Sequence, residues 1–255
     1  MTMDISVIII TKNETSDIKR CLDSVHGLGE IIVVDSGSVD DTVEICKRYT
    51  AKVFYNKWPG FGKQKNYALD LATKSWVLSL DADEWLTPTL REEIIAVVSA
   101  NKDLSYNIPR KSYYCGKLIR FGHWRNDKVM RLFKRDSGEF SNDIVHEKLL
   151  VTNAVEKLSN HILHNSFTSH EDVLNKMDLY SSLLAKQKFD AGKTSSLPAA
   201  IIKSLWAFIN SYILKLGLLD GQEGFMVAFS FAEGTYYKYI KLSLLHNRNN
   251  IEILP

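Results

Sequence analysis

Hydrophobic and polar positions follow two alternating patterns over the first hundred residues. Four runs, ISVIIIT from Ile5, EIIVVDSGS from Glu30, AKVFY from Ala51 and SWVLSLDADE from Ser75, are dense in β-branched and other apolar residues and predict strands. Between them apolar residues recur at helical spacing. Ile18, Cys21, Leu22 and Val25 mark a first helix, with Thr15 or Ser16 able to cap it. DDTVEICKRY predicts a second, its acids in the first turn and its bases in the last, matching the helix dipole. A third runs over about 63–72, after a loop with Pro59, Gly60 and Gly62. A fourth carries Pro88 in its first turn and reaches about Ala100.

Strands alternating with helices predict an α/β fold, a Rossmann-like and mostly parallel sheet covered on both faces. Ligands of such sheets bind beyond the carboxyl ends of the strands. Those ends carry Thr11-Lys12-Asn13-Glu14, Asp35-Ser36-Gly37-Ser38 and Asp81-Ala82-Asp83, which should share one edge. From about Tyr106 to Leu150 short strands and loops rich in Arg, Lys and aromatic residues take over, and from about Ser169 to Ser243 the pattern is helical. The predicted organisation is a domain over 1–165, with halves of about 1–105 and 106–165, followed by a helical C-terminal extension over 166–255.

Composition narrows the classes. A hydrophobic share of 45% in 255 residues supplies a substantial core, and a formal charge of +2 gives no global pull toward nucleic acid. Cys21, Cys46 and Cys115 are odd in number, far apart and without a C-x-x-C spacing, as expected of free thiols in a reducing compartment. Asp4 and the shortness of the apolar run from Ile5 argue against a signal peptide. The late segment LPAAIIKSLWAFINSYILKLGLL is interrupted by Lys203, Asn210 and Lys215. Its longest charge-free core, 204–214, falls short of the roughly 20 residues a bilayer needs. The reading is a cytoplasmic protein without a membrane span.

The chemistry centres on SLDADEW. Asp81 and Asp83 flank a small residue where a strand meets a loop. Two carboxylates so placed can hold a hard divalent cation and leave coordination sites open for diphosphate oxygens, where the ion would neutralise charge on a leaving nucleotide diphosphate. The plainer alternative is a solvated loop with helix-capping acids.

VIIITKNE, IIVVDSGSVDDT, WPGFGKQKNYAL and LSLDADEWLTP, in this order, resemble the family 2 glycosyltransferases of the GT-A fold. HWRNDKVMRLFKR, DIVHEKL and LGLLDGQEGFMVAFSFAEGTYYKYIKL resemble more narrowly the bacterial lipopolysaccharide core β-1,4-glucosyltransferases, over nearly the whole chain. The resemblance implies an inverting transfer of a hexose, glucose in that subgroup, from a UDP-sugar to a lipid-linked lipopolysaccharide or lipooligosaccharide inner-core acceptor, with Mn²⁺ or Mg²⁺ as cofactor. Asp81 and Asp83 would then sit by the metal and diphosphate, and Asp35 would accept the N3 proton of uracil. Thr11, Asn13 and Glu14 would line the nucleotide pocket, and Lys65 would face the diphosphate. The plainer alternatives are a turn acid capping the next helix for Asp35 and a solvated helix lysine for Lys65. Inversion needs a base on the acceptor side. The VHE stretch supplies Glu147, with His146 as second base candidate or metal neighbour and Asp143 as a rival. The family's commoner Glu-Asp pair is absent. His164 could reach the metal or be a loop histidine.

Between Lys111 and Arg135 basic and aromatic residues mingle. Aromatic faces stack on sugars and Arg forks bind phosphate, so Trp124, Arg125 and Arg131 are acceptor-side candidates. Nucleic-acid binding, the generic reading of such a mixture, is opposed by the near-neutral chain; a merely solvated surface is the other reading. The helix with Ile202, Trp206, Ile209 and Tyr212, near Lys203, Lys215, Lys238 and Lys241, has the wide apolar face of an interfacial helix. It would either touch the inner leaflet of the plasma membrane or pack on the catalytic domain. The competing functions are a glycosyltransferase of another cell-surface glycan and a metal-binding nucleotidyltransferase. The latter usually carries a Gly-rich basic loop after its first strand, where TKNE stands here.

Overall fold

A computed structural model of the chain describes residues 3–142 and 147–252. The first part alternates as predicted: β1 (Ile5–Thr11), α1 (Ile18–Val25), β2 (Glu30–Asp35), α2 (Thr42–Lys47), β3 (Val53–Tyr55), α3 (Phe61–Asp70), β4 (Trp76–Asp81), β5 (Glu84–Leu86) and α4 (Pro88–Ala100). Then come β6 (Leu104–Tyr114), β7 (Lys117–Leu118), β8 (Lys128–Lys134), β9 (Gly138–Phe140), β10 (Leu149–Val151), β11 (Ala154–Lys157), β12 (Ile162–Phe167), α5 (His170–Asp190), α6 (Leu197–Ile209) and α7 (Gly221–Glu252). The chain forms two compact units: residues up to Lys111 with Asn126–Asn165, and Ser112–Arg125 with the chain from Ser166 onward.

In the first unit β3, β2, β1 and β4 are parallel neighbours in that order. Successive side chains of a strand face opposite sides, and both sides here are covered. Val7, Ile9, Val33 and Leu78 pack with Ile18 and Leu22 of α1 and Leu90 and Ile94 of α4. Ile8, Ile10, Val34 and Val77 pack with Ala68 and Leu69 of α3. The parallel half is therefore mostly apolar along its length, as the runs of isoleucine and valine predict, with Ser6 and Ser79 as buried polar positions inside β1 and β4. Beyond β4 the sheet becomes mixed. β8 runs antiparallel to β4, with Leu78 opposite Leu132, and β6 runs antiparallel to β8. Because β8 opposes β4, its early residues lie beside the carboxyl end of β4.

Three local expectations change. SWVLSLDADE is not one strand: β4 ends at Asp81, the chain turns at Ala82-Asp83, and Glu84 opens β5. The first helix starts at Ile18, so Asp17 and not Thr15 or Ser16 takes the cap position, and its carboxylate caps no backbone N–H because it accepts from the side-chain amide of Asn165 (3.0 and 3.1 Å). The second helix is one short stretch, 42–47, and not the whole of DDTVEICKRY. Cys21, Cys46 and Cys115 carry free thiols.

Glu30 shows how charge is handled at the opposite edge of the sheet. Its buried carboxylate accepts from Thr73 N (3.0 Å) and Thr73 Oγ1 (2.9 Å), from the Ser6 hydroxyl and from the Lys52 ammonium. Burial alone would raise its pKa; Lys52, Ser6 and Thr73 outweigh it and bring it down to about 2 from 4.5. A depressed folded-state pKa stabilises above the unfolded value and is lost as pH falls through the folded one. Glu30→Gln is thus expected to lose up to roughly 3 kcal/mol at pH 7. The gap to wild type should narrow from pH 4.5 toward pH 2. Urea denaturation of both proteins at pH 7 and pH 3 measures it, and an equal gap at both would discard the charge account.

In the second unit α6 and α7 pack through small residues. Ala200, Ala207 and Ala232 are buried, and Ser204 Oγ donates to the Ala232 carbonyl (2.8 Å). The Asp220 carboxylate accepts from the backbone N–H of Arg120 (3.0 Å) and Phe121 (2.7 Å), tying 112–125 to the start of α7. The helix over Leu197–Leu214, including a π-helical last turn from Asn210, departs from the sequence expectation. Its 18 residues, with mean hydropathy 1.4, are long and apolar enough to cross a membrane by length and composition, and only 17% of it is buried. A single Lys203 does not interrupt it.

Candidate active site

The predicted edge assembles in the first unit. Thr11 pairs with Asp35 across β1 and β2, and Ile10 with Asp81 across β1 and β4, so the three strand ends lie level. The loops beyond them are stitched together. Asn13 adopts a left-handed φ of 55°, which Asn tolerates better than most residues. Its N–H donates to Ser38 Oγ (2.8 Å) and its side-chain carbonyl accepts from Val39 N (2.9 Å). Glu14 N donates to Thr42 Oγ1 (2.8 Å). The Asp35 carboxylate accepts from Gly37 N (2.7 Å), Ser38 N (2.9 Å) and the Ser38 hydroxyl, the pattern of an acid that fixes its own turn.

Thr11 Oγ1 is buried and has no hydrogen-bond partner among the described residues. An unpaired buried hydroxyl costs stability unless a ligand satisfies it. Thr11→Val keeps the shape and removes the hydroxyl. It is expected to leave the thermal midpoint unchanged or higher while weakening nucleotide binding about 2- to 10-fold, the worth of one hydrogen bond. Calorimetric titration with UDP beside a melting curve reads both, and unchanged affinity would place Thr11 outside the pocket.

Two of the three acids of SLDADEW, Asp81 and Glu84, are embedded among cations. Lys65, only 2% exposed, lies 2.8 Å from Asp81 and 2.6 Å from Glu147. Arg131, also buried, pairs with Asp81 and reaches Glu84 at 2.8 Å. Glu84, wholly buried, also holds Arg110 (2.9 Å), whose other side meets Asp127 (2.7 Å), and accepts from Asp81 N (3.1 Å). Burial would raise the pKa of Asp81, but Arg131 and then Lys65 hold it well below the usual carboxylate range. Glu84 is lowered too: burial and Asp81 push it up, and Arg131 and Arg110 outweigh them. Arg131 is held more firmly protonated by Asp81 and Glu84, against its own burial. A strand can end on clustered acids because β8 and α3 bring the countercharge. Gly62 makes the approach of α3 possible, since a Cβ there would meet the Ser141 carbonyl oxygen at 1.8 Å and lie 3.6 Å from Glu147 Cβ.

Asp83 stands apart from this network. Its Oδ2 is 3.2 Å from His164 Nε2, and its carbonyl accepts from Asn165 N (2.9 Å). β12 runs antiparallel to β5 with His164 opposite Glu84, and the Asp17–Asn165 contact holds that strand end against α1. The donor set fits a divalent cation in one respect and limits it in another. Among the described residues Asp81, Glu84, Asp127 and Glu147 pair with Lys65, Arg110 and Arg131, and with Asp83 beside them the acids outnumber these cations by two. Both oxygens of Asp81 already meet cations, and no cluster of three metal-ligating side chains forms among the described residues. Asp83 and His164 are thus the residues that fit an incoming ion, with the other positions left to ligand oxygens.

The structure brings together Thr11, Asn13, Asp35, Lys65, Asp81, Asp83, Arg131 and Glu147 within the first unit. His146 and Asp143 lie outside the described residues. Arg131, read from sequence as acceptor-side, has its guanidinium on Asp81 and Glu84. Trp124 and Arg125 belong to the second unit, where Trp124 stacks on Phe167 (6.0 Å) and the Arg125 guanidinium lies 5.5 Å from the Phe121 ring centre. Sequence reasoning missed Glu84, Arg110 and Gln64. Gln64, buried on α3, donates to Ser36 Oγ (2.9 Å) and accepts from Asn56 Nδ2 (2.8 Å), bracing the loop after β2. The Glu84-Trp85-Leu86 alternation was the available sign that Glu84 points inward.

A sheet whose parallel half ends on Thr11, Asp35 and Asp81, followed by an antiparallel half and a helical extension, is the GT-A arrangement of a glycosyltransferase. The family model for glycosyl transferase family 2 matches residues 6–158, and the chain belongs to that family. It is 34% identical to an uncharacterized glycosyltransferase of Rickettsia typhi, over 93% of this chain and 86% of that one. It is 26% identical to the lipopolysaccharide core biosynthesis glycosyltransferase LpsC of Rhizobium meliloti, over 99% and 96%. Among solved structures it is similar to residues 1–349 of S. aureus TarS, with TM-score 0.46 and 16% identity over 98% of this chain and 92% of that one.

Proposed function

We propose that this glycosyltransferase moves a hexose, glucose by resemblance to the core glucosyltransferases, from a UDP-sugar to a lipid-linked lipopolysaccharide or lipooligosaccharide core acceptor, with inversion at the anomeric carbon. The observation that carries the reading is the bridge made by Lys65 between Asp81, on the nucleotide edge, and Glu147, whose segment follows the antiparallel half. In this reading the bridge supports a carboxylate at the point where the sugar would meet its acceptor. The core acceptor rests on the similarity to LpsC over nearly the full length of both chains.

In this reading Thr11 and Asp35 receive the nucleoside, with Asn13 and Glu14 shaping the loop around it. Glu147 takes the proton from the acceptor hydroxyl as that oxygen bonds to the anomeric carbon, and the bond to the UDP oxygen breaks on the opposite face. Lys65 orients Glu147 and contributes positive charge near the diphosphate. Arg131 and Glu84 hold Asp81 in place. Asp83 and His164 would hold Mn²⁺ or Mg²⁺, which when bound neutralises charge on the leaving diphosphate. The work would be done at the cytoplasmic face of the membrane, with the exposed face of α6 as a peripheral contact.

Incubating the purified protein with a panel of UDP-sugars and Mn²⁺ or Mg²⁺ tests the donor through UDP release, and an anomeric NMR spectrum of the product tests inversion. Turnover of UDP-glucose with a β-linked product is expected. Pyrophosphate release from a nucleoside triphosphate, with no UDP from any sugar donor, would overturn the reading in favour of a nucleotidyltransferase.

A further inference from the structure

Within the second unit, α6 and α7 line an open cavity of about 480 Å³. One part of its lining is polar: Lys203, Asn210, Thr235 and Lys238. Another is apolar, with Trp206 and Phe231. The lysines converge on one ring. The ammonium groups of Lys203, Lys238 and Lys188 lie 4.7, 5.1 and 5.7 Å from the centre of Tyr239. None of the three makes an ion pair among the described residues, whereas neighbouring Lys241 is already bound to Asp178 (2.7 Å). Burial pushes the Lys238 ammonium below its ordinary value; Tyr239 pulls it back in part, and Lys188 and Lys203 add smaller pushes downward. Three like charges gathered without a carboxylate are a cost that a bound anion relieves.

The surroundings say what kind of anion. Ile202 (66% exposed), Leu205 and Trp206 (58%) stand out from α6, and Ile213 from the π-helical turn that continues it. Such apolar side chains exposed together mark a contact with another apolar phase, and Trp at the edge of such a face suits the boundary between headgroups and acyl chains. A soluble phosphate would use the lysines and leave these side chains in water. An anionic lipid uses both.

We infer that the Lys203–Lys238 cavity is a binding site for the phosphate headgroup of an anionic membrane phospholipid, with Trp206 and Ile202 entering the acyl region beside it. This rests on the peripheral membrane contact proposed above and gives it a specific headgroup pocket. Lysines near an anionic surface each contribute attraction that salt weakens. The Asn210 side-chain amide supplies a neutral donor beside the same phosphate.

The test is flotation of the full chain with phosphatidylcholine vesicles, with and without 30 mol% phosphatidylglycerol, at low and high salt. Four proteins are compared: wild type, Lys203→Gln/Lys238→Gln, Ile202→Gln/Trp206→Gln, and a control, Lys57→Gln/Lys102→Gln, that removes two exposed lysines of the first unit. Wild type and control should float with anionic vesicles. The cavity-lysine pair should lose roughly 10- to 30-fold in partitioning while melting no lower than wild type, since its loss relieves repulsion. Equal losses in the control would reduce the effect to general charge and overturn the site. Wild type floating equally with neutral vesicles would reject the headgroup site and leave the peripheral contact standing. No flotation at all would reject both. Calorimetric binding of inorganic phosphate that is lost in the cavity pair, without vesicle preference, would identify a soluble anion and overturn the lipid assignment.

Discussion

Asp83→Ala is expected to abolish sugar transfer and to remove any gain in UDP affinity conferred by Mn²⁺ or Mg²⁺, while the protein stays folded. Asp83 is the cleaner of the two strand-end acids to remove. Its side chain meets His164 and stays outside the ion network, so its loss leaves Lys65, Arg131 and Glu84 paired. Asp81→Ala would instead strip a carboxylate from two buried cations, and breaking a buried pair typically destabilises by about 3–5 kcal/mol. Loss of activity there would not separate folding from chemistry. A metal clamp on a leaving diphosphate is worth several kcal/mol in the transition state, so turnover should fall roughly 10²- to 10³-fold or more. Rates of UDP release, calorimetry with UDP in the presence and absence of metal, and a melting curve together decide the matter. Wild-type turnover of the variant in metal would take Asp83 out of the metal role.

What the sequence made legible was whatever depends on local pattern. The apolar runs locate β1, β2 and β4, because a parallel strand covered on both faces is apolar at most of its positions. Pro88 locates the start of α4, where a missing N–H costs nothing. Ligand-edge logic then selects Thr11, Asp35 and Asp81 without knowledge of the partners they meet. What stayed hidden depends on pairing between distant segments. Nothing local in MRLFKR says that Arg131 faces Asp81, because that follows from β8 lying antiparallel to β4. Glu84 looked like one more solvated acid of DADE, yet it is fully buried between Arg131 and Arg110. Asp17, available as a helix cap, was claimed by Asn165 at the far end of the first unit. Each is a tertiary contact overriding a local preference. The division at Ser112–Arg125 is of the same kind: the Asp220 carboxylate gathers the backbone of Arg120 and Phe121 into the second unit, and the segment itself carries no composition break.

Glu147→Gln is expected to keep UDP-sugar affinity and lose turnover by roughly 10²- to 10⁴-fold. A general base acts as the acceptor proton leaves, so its removal belongs to kcat and scarcely to ground-state donor binding. The substitution suits the geometry. Glutamine matches glutamate in shape, its amide oxygen can still accept from Lys65, and Lys65 keeps Asp81 at 2.8 Å. The approach of Gly62 to Ser141 fixes the neighbouring backbone independently of the side-chain charge. A purely structural Glu147 would therefore show a lower melting point and a changed KM, with kcat nearly held. A catalytic one shows the reverse. Glu147→Ala adds a second readout, since formate entering the space left by the side chain should restore part of the rate when a carboxylate is what the reaction lacks. Pre-steady-state binding of UDP-sugar, steady-state kcat and KM, and the formate titration separate the two cases. If His146→Ala lost kcat in this manner and Glu147→Gln stayed active, the proton would go to the histidine, and Glu147 would be left as the carboxylate that, with Asp81, holds Lys65 in the site.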